Sequence, residues 1–239
     1  MDREQLAGLT AATARAATAS GAPGQAVGIV PRGPRRSDGP LGYAGSVIAV
    51  CGDLTPHARR DGLATTIAER AGRAEAAVQA VGIVPDGAEG DALLLRFAAA
   101  GVGHAAVLRT AARPLESADL ELALRYLPDI RVVVACEMPP TALQAIVQGA
   151  AYLGAALLIV QPSIDATAAD PDLPDSAIVM AAPATDPDGT FAGFVATLAS
   201  RLDAGEPAAD AWGTTVRSLA VDAISRDRDP ARRGSAAAQ

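Results

Sequence analysis

Lysine and asparagine are absent from this 239-residue chain, and all 20 of its basic residues are arginine. Without lysine there is neither a phosphate-gripping P-loop lysine nor a Schiff base. Without asparagine, no motif that demands that side chain is intact. Aromatic residues make up only 3% of the chain, so Ala, Val, Leu and Ile must fill a core drawn from a composition that is 50% hydrophobic. Cys51 and Cys136 each end an apolar run, which marks buried free thiols rather than a disulfide scaffold. With two cysteines and two histidines far apart in the sequence, a zinc site lacks ligands, and no metal site is expected. The longest strongly apolar run, Ala150 to Val160, is too short to span a bilayer. Asp2 and Glu4 stand where a signal peptide would be basic, and a cytoplasmic location is the expectation. The formal net charge of -7 argues against nucleic-acid and anionic-membrane partners.

What the chain does have is alternation of apolar strands with helices. Residues 1–45 read as an Ala/Thr-rich helix over Asp2 to Ser20, then a Gly/Pro/Arg-rich extension. The Arg cluster at Pro31 to Arg36 suits either an acidic partner or a solvated loop. The main domain is expected over 46–225, with a disordered tail over 226–239. Apolar strands are expected at Ser46–Cys51, Val81–Val84, His104–Leu108, Arg131–Cys136, Ala155–Val160 and Ala177–Ala181. Between them lie helices over Leu63–Ala80, Asp91–Ala100, Ala118–Tyr126 capped by Ser117, and Thr141–Tyr152. Two closing helices follow, Thr190–Leu202 and Ala208–Ser225. Strands apolar on both faces and separated by helices predict an α/β three-layer sandwich with a mainly parallel sheet. The heptapeptide Gln-Ala-Val-Gly-Ile-Val-Pro occurs twice, at Gln25–Pro31 and Gln79–Pro85, which fits a local duplication with each copy a strand ending in a proline turn.

In parallel sheets ligands bind beyond the carboxyl ends of the strands. Asp53 and Glu137 follow two such ends and are candidates to face one crevice, where carboxylates grip hydroxyls or a metal; the plain alternative is a pair of solvated loop acids. His57, His104 and Trp212 belong to no motif, and Trp212 is expected in the core or an interface.

Asp186-Pro187-Asp188-Gly189-Thr190-Phe191-Ala192-Gly193 resembles the signature Gly-Ala-Gly-Asp-Thr/Ala-Phe-x-Gly of ribokinase-like carbohydrate kinases, the phosphofructokinase-B superfamily. The likeness extends in broken form from Ser46 to Asp222. Val81-Gly82, Asp86, Gly90, Leu93 and Gly101-Val102 are similar to a conserved-pattern segment of that family. Glu137-Met138-Pro139 resembles its Glu-x-Pro block, and Ala71-Gly72-Arg73-Ala74-Glu75 its glycine-rich substrate motif, with Glu75 in place of Asn. The resemblance implies a ribokinase-like fold, with Asp53, Gly72, Glu75 and Glu137 as substrate-binding residues for a small polyhydroxy molecule. It also implies Gly189 and Thr190 at a phosphate site.

The departures carry as much meaning. Gly189 stands where the family keeps its catalytic Asp, and Asp186 and Asp188 replace glycines whose N–H groups converge on the transferred phosphate. Pro187 has no N–H to offer. The family's magnesium-organising Asn-x-x-Glu motif has no counterpart, only a short Asp/Pro/Ala segment spans Pro162 to Asp186, and the β-strand lid of relatives is not recognisable. The expectation is a degenerate homologue, a small-molecule-binding or regulatory protein with impaired catalysis. The alternatives are an active sugar or nucleoside kinase using Asp188 as base, the only case that calls for ATP and Mg²⁺, and a self-associating scaffold forming a homo-oligomer. On the plain reading Asp186 or Asp188 simply caps the helix that follows.

Overall fold

The computed structural model describes residues 46–54, 62–110, 113–162 and 173–228, with 221–228 by backbone alone. The N-terminal helix and extension, the first heptapeptide copy, His57 and the tail beyond Arg228 lie outside the described residues.

The chain runs β1 (Val47–Gly52), α1 (Leu63–Arg73), β2 (Val78–Pro85), α2 (Ala88–Ala99), β3 (Val102–Thr110), α3 (Ser117–Tyr126), β4 (Ile130–Cys136), α4 (Pro140–Leu153), β5 (Ala156–Gln161), β6 (Ile178–Ala181), α5 (Thr190–Asp203) and α6 (Ala208–Arg228). The six strands form one sheet in the order β3-β2-β1-β4-β5-β6. Every pairing in it is parallel. Among the described residues no strand stands outside this sheet.

Strand side chains alternate between two cores, as the pleat requires. Ile48, Val50, Val132, Val134, Leu158 and Val160 meet α1, α2, α5 and α6 on one face. Ala49, Cys51, Val133, Ala135, Leu157 and Ile159 meet α3 and α4 on the other. The result is the three-layer α/β sandwich that uninterrupted apolar strands call for. Trp212 belongs to the first core, edge-on to fully buried Phe194 with ring centroids 5.2 Å apart. His104 is exposed on the edge strand β3.

Several local expectations are corrected. The helix read over Leu63–Ala80 stops at Arg73, because Glu75 turns left-handed at φ 64° and Val78 already pairs with Ile48 and Val102. Strand pairing here overrides the helical preference of the Ala-rich segment. The second heptapeptide copy therefore lies entirely within β2, between β1 and β3. Ser117 does not cap α3. Glu116 is the N-cap, its N–H donating to the Asp119 carboxylate at 3.1 Å, while the Ser117 hydroxyl donates to the Thr141 carbonyl at 3.0 Å and ties α3 to α4. The last helix continues past Ser225 to Arg228.

Candidate functional site

The chain winds outward from β1 to β3 and then returns to lay β4 on the other side of β1. The first and fourth strands thus frame the switch point of the sheet, the place where ligands bind in open parallel sheets. Gly52 lies opposite Cys136, so the next residues, Asp53 and Glu137, emerge from the carboxyl edge on adjacent strands. Asp53 is exposed and Glu137 half-buried.

Glu137 holds a left-handed conformation, φ 50°, which costs a non-glycine residue about 1–2 kcal/mol. Its N–H donates to the Val160 carbonyl at 2.7 Å, and the buried Gln161 amide donates to the Met138 carbonyl at 3.0 Å. These bonds lock the turn between β4 and α4 onto the end of β5. Pro139 and Pro140 then open α4 without losing a ladder bond, because the first helical N–H groups have no intrahelical partner.

Gly72 and Glu75 do not join this carboxyl edge. The first helix leaves the carboxyl edge of the sheet and descends, so its last turn reaches the amino edge. There the Ala77 carbonyl accepts from the first residues of β1, at Ile48. A Cβ on Gly72 would collide with the Ala100 carbonyl and stand 2.8 Å from Val102 Cγ2, so this glycine serves helix–strand packing. The part of α1 at the carboxyl edge is its amino end. Ala64 packs on Gly52, and the buried Thr65 hydroxyl donates to the Leu54 carbonyl at 3.2 Å. Sequence reasoning missed Gly62–Thr66, although a crossover helix following β1 in a parallel sheet has to begin at the ligand-bearing edge.

At the start of α5 the protein supplies its own anion. The Asp186 carboxylate accepts from the Phe191 N–H at 3.0 Å and from the Ala192 N–H at 2.8 Å. It fills donors that a helix amino end otherwise offers to a phosphate. Asp186 is therefore the capping residue among the two aspartates. Asp188 is exposed, and its carbonyl accepts from the Arg70 guanidinium at 2.7 Å. Gly189 is the left-handed N-cap at φ 62°, buried under Arg70, whose Nη2 would stand 2.6 Å from any Cβ. Thr190 is the first helical residue. A cavity of about 290 Å³ opens beside this turn, between α5 and α6 with Arg70 at its rim, and is lined by Asp188, Gly189, Thr190, Thr197 and Thr215 among others. Asp53 and Glu137 do not line it.

Both thiols are buried. Burial pushes Cys51 up to about 12, and burial, then Cys51 and Glu137, push Cys136 up. Their side chains enter opposite cores, so they neither pair nor react as thiolates. Among the described residues no group of three or more His, Cys, Asp or Glu could hold a metal ion, and no helix is long and apolar enough to cross a membrane.

Solved structures with the same arrangement include a riboside kinase and a putative sugar kinase. Aminoimidazole riboside kinase from Salmonella enterica superposes with a TM-score of 0.50 at 14% identity, the match covering 73% of this chain and 92% of that one. The fold is ribokinase-like. A putative sugar kinase from Clostridium perfringens gives a TM-score of 0.50 at 8% identity, covering 74% of this chain and 89% of that one. No family model matches the chain, and no curated protein matches its sequence. Identities this low establish the ribokinase-like architecture and leave the chemistry to the residues themselves.

Proposed function

We propose that this ribokinase-like protein is a carbohydrate-kinase homologue that binds a small polyhydroxy molecule at the carboxyl edge of β1 and β4 and is impaired in phosphoryl transfer. Asp53 and Glu137 accept hydrogen bonds from ligand hydroxyls, beside the amino end of α1. The observation that carries this reading is the Asp186 carboxylate on the Phe191 and Ala192 N–H groups. A phosphate brought there would meet a negative charge and find those two donors taken, so these residues do not fit a transferred phosphoryl group. Gly189 adds no proton acceptor, and loss of a general base alone costs about 10²–10⁴ in rate. The neighbours named as riboside and sugar kinases support the ligand class. Two buried free thiols suit a reducing, cytoplasmic setting.

A second reading, an active kinase with Asp188 as base and MgATP as donor, is favoured by one observation. Asp188, Gly189 and Thr190 line the cavity beside α5. Thermal-shift measurements with sugars and nucleosides, and separately with MgATP, divide the two, because a ligand that binds the native state raises Tm by mass action. A sugar or nucleoside shift lost in Asp53→Ala and Glu137→Ala, with no ADP release, is the expected outcome. ADP release abolished by Asp188→Ala would overturn the impaired-kinase reading in favour of the second.

A further inference from the structure

We infer that the outer face of α3 and α4 is a self-association surface and that its occupant is a second copy of this chain, laid across a two-fold axis. This inference is independent of the ligand reading above. The fourth helix lies on the outside of the sandwich yet contains no charged residue in Pro140–Leu153, in a chain that is 20% charged. Its exposed positions include Gln144, Gln148 and Tyr152, the last 86% exposed. Beside it, α3 turns Leu122 and Tyr126 to solvent at 56% and 76% exposure, opposite the Leu120 and Leu124 side chains that it buries. The absence of charge along α4, beside exposed Tyr152, is the composition of an interface core, and the charges of α3 next to Leu122 and Tyr126 form a polar rim.

The arrangement fits its own image. The stripe Ala118, Leu122, Tyr126 repeats at four-residue spacing along α3, and all three are exposed. A two-fold axis through Leu122 runs α3 antiparallel to its copy, which sets Leu122 on Leu122 and places Ala118, the smallest member, opposite Tyr126, the largest. In such an isologous contact a flank of one helix meets the same flank of the other. Glu121 and Arg125 are exposed and one turn apart, in line with Ser117, whose hydroxyl bonds α4 one turn before Glu121. The axis therefore sets Glu121 of one copy beside Arg125 of the other, twice. The same-flank rule also brings the uncharged face of α4 against its own copy. The α3–α4 pair is held rigid for this purpose, by the Ser117 hydroxyl on the Thr141 carbonyl and by Gly149, where a Cβ would stand 2.6 Å from Leu124 Cδ1. A preformed two-helix face loses little freedom on docking.

The test is sedimentation velocity of the full chain over a wide concentration range. A dimer is expected, with Leu122→Glu shifting it to monomer and Leu95→Glu, on the opposite layer, leaving it unchanged. Leu122 is exposed in the single chain, so an unaltered far-UV circular dichroism spectrum of Leu122→Glu shows that the fold is kept. Glu121→Arg and Arg125→Glu should each weaken dimerisation about tenfold by setting like charges together, and the double swap should restore it. A monomer at all concentrations, or a dimer indifferent to Leu122→Glu, overturns the inference. So does a double swap no better than the single ones.

Discussion

Asp186→Ala tests the feature on which the functional reading turns. The carboxylate makes two hydrogen bonds to the first turn of α5, and replacing an aspartate cap by alanine costs about 0.5–2 kcal/mol. Removing a negative charge from the positive end of the helix adds about 0.3–1 kcal/mol. The rest of α5 is secured by Phe194, Val195, Leu198 and Ala199 in the core, so the damage stays in the first turn. A total near 2 kcal/mol follows, which in a domain of this size lowers Tm by about 4–8 °C. Asp186→Asn keeps an acceptor without the charge and should lose about half as much. The same change exposes the Phe191 and Ala192 donors, so sulfate should bind the alanine variant where it cannot bind the parent. A Kd of about 10 mM would return about 1.4 kcal/mol at 100 mM sulfate. The general salting-out effect of sulfate acts on both proteins and cancels in the comparison. The assay is calorimetric unfolding of parent and variants with and without sulfate. An alanine variant within 1 °C of the parent, or equal sulfate gains in both, would show that the carboxylate does not hold those donors.

Other consequences reach the rest of the fold. Asp203, the last residue of α5, has its carboxyl raised above the ordinary range by burial, against the pull of the Ser46 hydroxyl and Arg131, and its Oδ1 is buried with no hydrogen-bond partner. A raised native value means that the folded state binds the proton more tightly; the stability this gives is complete below the unfolded value and lost as pH rises through the native one. Asp203→Asn should therefore stabilise the protein at neutral pH, with a gain that shrinks towards acid, as read from denaturant midpoints at several pH values. Glu75 is exposed and left-handed, so Glu75→Gly should raise stability by up to about 1 kcal/mol and leave ligand affinity unchanged. Gly72→Ala forces a methyl onto the Ala100 carbonyl and should cost about 1–3 kcal/mol by equilibrium unfolding, again without altering ligand affinity. Glu69 is buried, with Arg73 at 2.9 Å and Arg96 at 2.8 Å; the Arg96 contact is an ion pair without hydrogen-bond alignment. Glu69→Ala should cost about 1–3 kcal/mol, seen as a lower denaturant midpoint with unchanged slope.

The strands were legible because a sheet covered on both faces writes itself as unbroken apolar runs, and Val132 to Cys136 is such a run. The positions of Asp53 and Glu137 were legible by the same logic, since each directly follows a strand of the parallel sheet. Legibility failed where a residue's neighbour is distant in sequence. The resemblance of Ala71–Glu75 to a substrate motif pointed Gly72 toward a ligand, but the carbonyl that crowds Gly72 belongs to Ala100, and no local pattern announces it. The cap of α3 was misassigned for the same reason: the Ser117 hydroxyl has the right chemistry for a cap, and a better partner at Thr141 on another helix claims it.

The turn before α5 shows where local and distant causes meet. Asp-Pro-Asp-Gly reads as a turn and cap whatever the fold, and the capping bonds of Asp186 are local. What the local reading cannot supply is Arg70, which crosses from α1 to hold the Asp188 carbonyl and to cover Gly189. With Arg70 in place, the turn is fixed from outside by a cation and from inside by a carboxylate. A phosphate approaching the helix end must displace the carboxylate and pay for its solvation, whereas one approaching the cavity side meets the guanidinium. Arg70→Ala separates the two approaches. It should leave the sulfate gain of Asp186→Ala intact, because that gain belongs to the helix donors. A sulfate gain that vanishes with Arg70 instead would move the anion site from the helix end to the cavity.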